Sequence, residues 1–239
     1  MEQAAATIDV LSFSPELEMA EVFAILRAAG FPNSELTQRL IERLLPDGTA
    51  LLAPKGAVRI YSAATLSEPE RSGLPSLLLD ADHLCYAIAT AGEAIDEASR
   101  RLRSHGNLVD SMVMDAIAVA GLNRISRHLV NRIHAWARQH GGNSSRAFSP
   151  GSGLSPWDLS RQQDVFARAP GGLLGVRLLP TFLMVPTKSI SFVIGLGTTI
   201  PHDTEPFSCA DCSRAQCAYR LEPMDEMIAM PPSPGSLGT

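Results

Sequence analysis

One stretch of this chain constrains its fold more than any other. After the break at His105-Gly106-Asn107, apolar residues recur at helical spacing to about residue 140: Val109, Val113, Ile117, Leu122, Ile125, Leu129, Ile133 and Trp136. Residues repeating in this way predict one long helix whose broad apolar stripe faces a core. Gly121 sits in the middle of that stripe. A glycine there costs about 1 kcal/mol relative to alanine, so a neighbouring element is expected to approach closely at that point. After Asp115 the stretch has no acidic residue through Gln139, but it carries Arg124, Arg127, Arg132 and Arg138. Two readings follow: a solvated basic face paired with acids elsewhere, or a docking surface for an acidic partner.

The remainder of the chain has to supply that core. Hydrophobic residues make up 45% of the 239 positions and charged residues 19%, which is the balance of a globular chain rather than a disordered one. Aromatics are only 5%, so the core is built from Leu, Ile, Val, Ala and Met. The net charge of −5 disfavours nucleic-acid binding as a global property, because phosphates need a concentrated basic face. No run of about 18 apolar residues is present, so no membrane span is expected. No signal-like N-terminus is read, and a cytoplasmic, reducing location is the expectation.

Local signals place the other elements. Residues 1–13 read as a lead-in or an edge strand. Ser14-Pro15-Glu16 predicts a helix start, with Leu17, Val22, Ile25 and Leu26 on one face and Gly30 as its stop. A second helix begins near Asn33-Ser34-Glu35 and ends at Pro46-Asp47-Gly48. Leu51–Ala53 and Val58–Tyr61 read as strands around a Pro54-Lys55-Gly56 turn, and residues 64–76 as a polar loop. Leu84–Thr90 is a strand candidate and Glu93–Arg103 a charged helix. Past the long helix come a Gly/Ser/Pro-rich loop over 141–156 and a short helix over Asp158–Ala167. Strands are then expected around Arg177–Val185 and Ile190–Leu196. The predicted fold is α+β: N-terminal helices, a long central helix and a mostly antiparallel sheet.

Chemistry-bearing residues concentrate late in the chain. Cys209, Cys212 and Cys217 place three of the four cysteines within nine residues. Cys-x-x-Cys spacing lets two thiolates hold one metal from a tight turn, and Cys217 adds a third ligand. A structural zinc ion takes four ligands, and His202, Asp211, water or Cys85 are candidates for the fourth. An iron–sulfur cluster, a redox dithiol and buried thiols remain alternatives. The six histidines form no metal motif, and neither a G-x-S-x-G elbow nor a G-x-G-x-x-G or G-x(4)-G-K-[ST] nucleotide loop occurs.

The order of motifs from 107 to 199 resembles a known family. A long helix carrying Asp115 leads to Arg146-Ala-Phe-Ser149-Pro150-Gly151. Trp157-Asp-Leu159, Gln162 or Gln163 and Phe166 follow, then Met184-Val-Pro186-Thr-Lys188-Ser189-Ile-Ser191 and a glycine-containing strand. This resembles the activation domain of cobalamin-dependent methionine synthase. It is most similar to stand-alone versions, several of which end in a Cys-x-x-Cys-x(4)-Cys-x-Tyr-Arg segment. The resemblance divides the chain into an N-terminal helical and strand region, 1–80, an activation-domain-like region, 81–220, and a Pro-rich tail, 221–239.

That resemblance implies a function. Family members bind S-adenosylmethionine beside a corrinoid. An electron from a flavodoxin- or ferredoxin-type donor reduces cob(II)alamin, and the methyl group of S-adenosylmethionine then traps the reduced cobalt. This chain has no room for the homocysteine, folate and cobalamin modules. Its implied partners are therefore a corrinoid-carrying protein or the catalytic subunits of a split methionine synthase. The family's Arg-x-x-x-Gly-Tyr motif, whose arginine suits the donor's carboxylate, maps onto Arg146, Pro150 and Gly151. Arg146 stands five residues before Gly151 instead of four, and Ser152 stands where the family has tyrosine. Lys188 and Ser189 match the Met-x-Pro-x-Lys-Ser block as further cofactor-binding candidates, and Asp80 and Asp82 are candidates for an acidic contact.

Overall fold

The computed structural model describes residues 6–12, 16–152 and 157–200. Among them β1 (Ala6–Ser12), β2 (Lys55–Ser62), β3 (His83–Thr90), β4 (Asn143–Ser144) and β7 (Ser189–Gly197) form an antiparallel sheet ordered β1-β2-β3-β7-β4. A separate two-stranded ribbon pairs β5 (Arg177–Leu178) with β6 (Met184–Val185). The helices are α1 (Met19–Ala28), α2 (Glu35–Leu51), α3 (Glu68–Ser72), α4 (Ser76–Leu79), α5 (Glu93–Ser104), α6 (Leu108–Gln139) and α7 (Gln162–Arg168). The α+β expectation therefore holds, including the long central helix and the antiparallel sheet. No helix among the described residues is long and apolar enough to cross a membrane.

Helix α6 serves two cores in succession. Its first half buries Val113, Ile117 and Ala120 against Val22, Ile25 and Leu26 of α1, Ile41 and Leu44 of α2 and Ile95 of α5. Its second half buries Ile125, Leu129 and Ile133 against one face of the sheet, where Val58, Ile60, Cys85, Ala87, Phe192 and Ile194 point toward it. The small residues on β3 let the helix lie close to the strands. A Cβ added at Gly121 would stand 3.0 Å from both δ-carbons of Leu52, which is the close approach expected there. The opposite face of the sheet carries Ala57, Tyr61, Leu84, Tyr86, Ile88 and Val193. It is covered by α4, α7 and the chain between them and the strands, through Leu78, Phe148, Trp157, Val165, Leu174 and Val176.

Several local expectations are corrected. The first helix starts at Met19, where Glu18 and Glu21 form a reciprocal capping box; Ser14 and Pro15 of the expected start lie outside the described residues. The second helix, capped by Ser34, runs through Pro46 to Leu51, so Leu51 ends a helix instead of starting a strand. A proline inside a helix loses one backbone bond and costs about 3 kcal/mol. Burial of Ile41 and Leu44 and the seating of Gly48 against Ile117 of α6 offset that cost. Lys55 and Gly56 belong to β2 itself, in register with Thr90 and Ala89. The expected loop over 64–76 contains α3 and the start of α4. The expected helix over 158–167 divides into a 3₁₀ turn capped by Asp158 and then α7.

One ion pair ties α7 to α3. Arg168 of α7 donates from Nε and Nη2 to the two carboxylate oxygens of Glu70, at 2.7 and 3.1 Å. The same guanidinium lies 5.0 Å from the Tyr61 ring centre, and the Tyr61 hydroxyl donates to the Arg168 carbonyl. The Arg168 hydrogen bonds hold the Glu70 carboxyl at about 2, below its ordinary 4.5, against an opposing effect of burial. A depressed carboxylate stabilises the fold fully above its unfolded pKa and loses that contribution as pH falls through its folded one. The Glu70→Gln variant should therefore be less stable than wild type at pH 7 by about 1–2 kcal/mol, allowing for solvent screening of a partly exposed pair. Urea unfolding should show the gap closing between pH 4.5 and pH 2; a gap independent of pH would contradict this assignment.

Candidate functional site

The segment after α6 is held against the outer edge of β7. Asn143 and Ser144 pair with Gly197 and Leu196, and Ser145 N–H donates to the Gly195 carbonyl at 2.8 Å. The Ser145 hydroxyl accepts from Gly195 N–H at 2.9 Å and donates to the Arg146 carbonyl at 2.8 Å. Phe148 and Val193 exchange both backbone hydrogen bonds, at 2.9 and 2.8 Å. Alternation along this edge sends Ala147 toward the α6 core and Phe148 toward the opposite core. The half-buried Arg146 follows Phe148, with its guanidinium carbon 5.1 Å from the Phe148 ring centre. A cation over an aromatic face at this distance is attracted to it, which orients the guanidinium fork.

A tight turn follows. Ser152 N–H donates to the Ser149 carbonyl at 3.1 Å, and Gly151 N–H donates to the Trp157 carbonyl at 2.8 Å. Gly151 adopts φ 74°, a conformation glycine takes without steric cost, while Pro150 is buried. The Ser149 hydroxyl donates to the Ser191 carbonyl, and the Ser191 hydroxyl donates to Gln162 Oε1 of α7, at 2.8 and 2.7 Å. The Ser152 hydroxyl oxygen is buried and has no hydrogen-bond partner among the described residues. This corner thus places a guanidinium, a glycine turn and several hydroxyls beside a buried aromatic layer. A guanidinium held in this way can pair with a carboxylate through two parallel hydrogen bonds.

The sequence candidates therefore separate into groups. Arg146, Pro150 and Gly151 share one loop. Lys188 and Ser189 sit at the start of β7 and are engaged with other elements. Lys188 Nζ lies 2.9 Å from Asp115 of α6, whose carboxylate also accepts from Ser99 and Arg103 at 2.8 and 2.9 Å. Asp115 thus joins α6 to the head of β7 and to α5. The Ser189 hydroxyl lies 2.8 Å from the Pro186 carbonyl and 2.9 Å from the Thr90 hydroxyl. Asp82 accepts from Thr198 N–H at 3.2 Å, closing the far end of β7, and the Asp80 carbonyl accepts from the Thr199 hydroxyl.

Sequence reasoning missed Asp96. It is 4% exposed on α5 and accepts from both the backbone N–H and the hydroxyl of Thr187, fixing the turn that leads into β7. Its only signal was an acid in the first turn of a charged helix, where a solvated dipole partner is the ordinary reading. Cys209, Cys212 and Cys217 lie outside the described residues. Cys85, a candidate fourth ligand, is fully buried between β3 and α6, and burial pushes its thiol well above the ordinary range. That core position suits a packed thiol and not a thiolate ligand. No group of three His, Cys, Asp or Glu side chains suited to a metal occurs among the described residues.

No family model matches the chain, and no curated protein matches it. Among solved structures it is similar to the crystal structure of the MetH reactivation domain bound to AdoHcy, with 12% identity and a TM-score of 0.56. The match covers 84% of this chain and 82% of that one. At this level of identity the likeness establishes a shared fold.

Proposed function

We propose that this chain is a stand-alone reactivation component for a corrinoid protein, binding S-adenosylmethionine at the Arg146–Ser152 corner. The observation that carries the reading is the Arg146 guanidinium laid over Phe148 at the foot of the Gly151 turn. The shared fold with a domain crystallised with AdoHcy adds support. S-adenosylmethionine would supply a methyl group, and a corrinoid carried by a partner would accept it after reduction by a flavodoxin- or ferredoxin-type donor.

The chain's own residues would bind and orient. Arg146 would hold the donor's carboxylate through its two-pronged fork, while Phe148 keeps the fork in place. Gly151 would let the ligand approach the backbone, and the Ser152 hydroxyl, buried without a partner among the described residues, would gain one from the bound ligand. Serine in place of the family's tyrosine would leave a smaller, more polar wall, and the one-residue shift of Arg146 would be taken up within the 145–152 loop. The Asp96–Thr187 and Asp115–Lys188 contacts would act at one remove, fixing where β7 begins.

Calorimetry on the purified chain tests this directly. S-adenosylmethionine should bind, and Arg146→Ala should weaken it by about ten- to a hundred-fold, the loss of one charge-assisted contact. No heat of binding, with or without a corrinoid partner, would contradict the reading.

The spacing of Cys209, Cys212 and Cys217 supports a second reading: a metal- or iron–sulfur-bearing module that passes electrons to a corrinoid protein without methyl transfer. Anaerobic purification should then give a visible absorption band that Cys212→Ser abolishes. Zinc at about one per chain and no band would point instead to a structural staple.

A further inference from the structure

Helix α6 concentrates positive charge in an acidic chain. The protein carries a net −5, yet residues 116–139 hold Arg124, Arg127, Arg132 and Arg138 and no carboxylate. At 3.6 residues per turn, Arg124, Arg127, Asn131 and Arg138 fall within a sector of roughly 60°, while Arg132 stands about 80° outside it, at the border of the buried side. The side of α6 opposite this stripe is committed to the sheet through Ile125, Leu129 and Ile133. Arg127, Arg132 and Arg138 are exposed and make no salt bridge among the described residues.

The upper part of the stripe lines an open groove of about 560 Å³ between α6, α1 and the end of β1, bordered by Leu11, Ser12, Glu21, Arg124, Arg127 and Asn131. Glu21 is the carboxylate in that lining, and Arg124 occupies it from two nitrogens, Nε at 2.9 Å and Nη2 at 2.8 Å. Charge therefore cancels at the α1 wall. Below it, from Arg127 to Arg138, no salt bridge offsets the positive charge among the described residues, although Arg127 still acts on Glu21 from a distance.

We infer that this groove and the stripe below it dock an acidic segment of a partner protein. Charge complementarity selects carboxylates, which would pair with Arg127 and Arg138 at a surface where such contacts steer encounter. Leu11 offers apolar area at the groove's end for one aliphatic side chain. A nucleic acid is the poorer occupant: an extended phosphate chain would run past Glu16 and Glu18 beside Arg124 onto an acidic protein. The inference does not rest on S-adenosylmethionine binding at the Arg146 loop, which lies along the β7 edge.

Fluorescence anisotropy of a labelled octaglutamate peptide against the whole chain tests it. Binding should be detectable at low salt and should weaken as salt rises. It should fall by about tenfold or more in R127E/R138E, while the matched control R100E/R177E, which reverses two exposed arginines elsewhere, keeps wild-type affinity. S-adenosylmethionine calorimetry should be the same in R127E/R138E as in wild type, so that failure here and failure at the Arg146 loop are separable. If circular dichroism shows R127E/R138E to be misfolded, R127Q/R138Q carries the same expectation. Absence of peptide binding, equal loss in the control, or tighter binding of a single-stranded oligonucleotide would overturn the inference.

Discussion

Strand β7 has to be buried on both faces and paired on both edges, and the other layers follow from that requirement. Seven of its nine residues are buried. Phe192, Ile194 and Leu196 face α6, so a long apolar helix must lie across them. Ser191, Val193 and Gly195 face the other way, where they need hydrogen-bond partners and thin packing as well as apolar cover. Gln162 supplies the partner for Ser191, Phe148 pairs with Val193, and Ser145 closes on Gly195. An unpaired edge in so buried a strand would leave backbone groups without partners, at about 1–3 kcal/mol each. The chain that satisfies the edge is the loop carrying Arg146. The candidate site is therefore a consequence of how β7 completes its hydrogen bonding.

The same logic explains the length of α6. A shorter helix would cover either the sheet or the α1, α2 and α5 layer, but not both. With 32 residues it does both, and Asp115 near the junction fastens it to Lys188 at the head of β7. The remaining side of the helix is left to solvent, and there its arginines accumulate. Two surfaces of different character thus flank the sheet: a hydroxyl-rich corner beside Arg146 and a basic stripe on α6.

Much of this was legible in the residues. The α6 stripe repeats often enough for periodicity to fix it, and β3 and α5 were bounded by the same reasoning. Pro46 misled because local propensity speaks for one helix alone, whereas Ile41, Leu44 and Gly48 are held by α6, a helix far along the chain. The short α3 and α4 were hidden in a polar segment whose helical turns depend on the Ser67–Glu70 cap and on burial of Leu78. At the site, Arg146, Pro150 and Gly151 could be grouped because they match one short motif of the family the chain resembles. The roles of Lys188 and Asp96 could not, since each is set by a partner that only the folded topology brings near.

The account stands on the Arg146 corner being where a ligand of the S-adenosyl class sits. The most direct measurement is amide chemical-shift mapping of the isotopically labelled chain titrated with AdoHcy. The predicted result is a saturable set of shifts confined to residues 145–152, Gln162 and Ser191, with the α6 arginines unmoved. Shifts centred anywhere else, or none at saturating ligand, would contradict it.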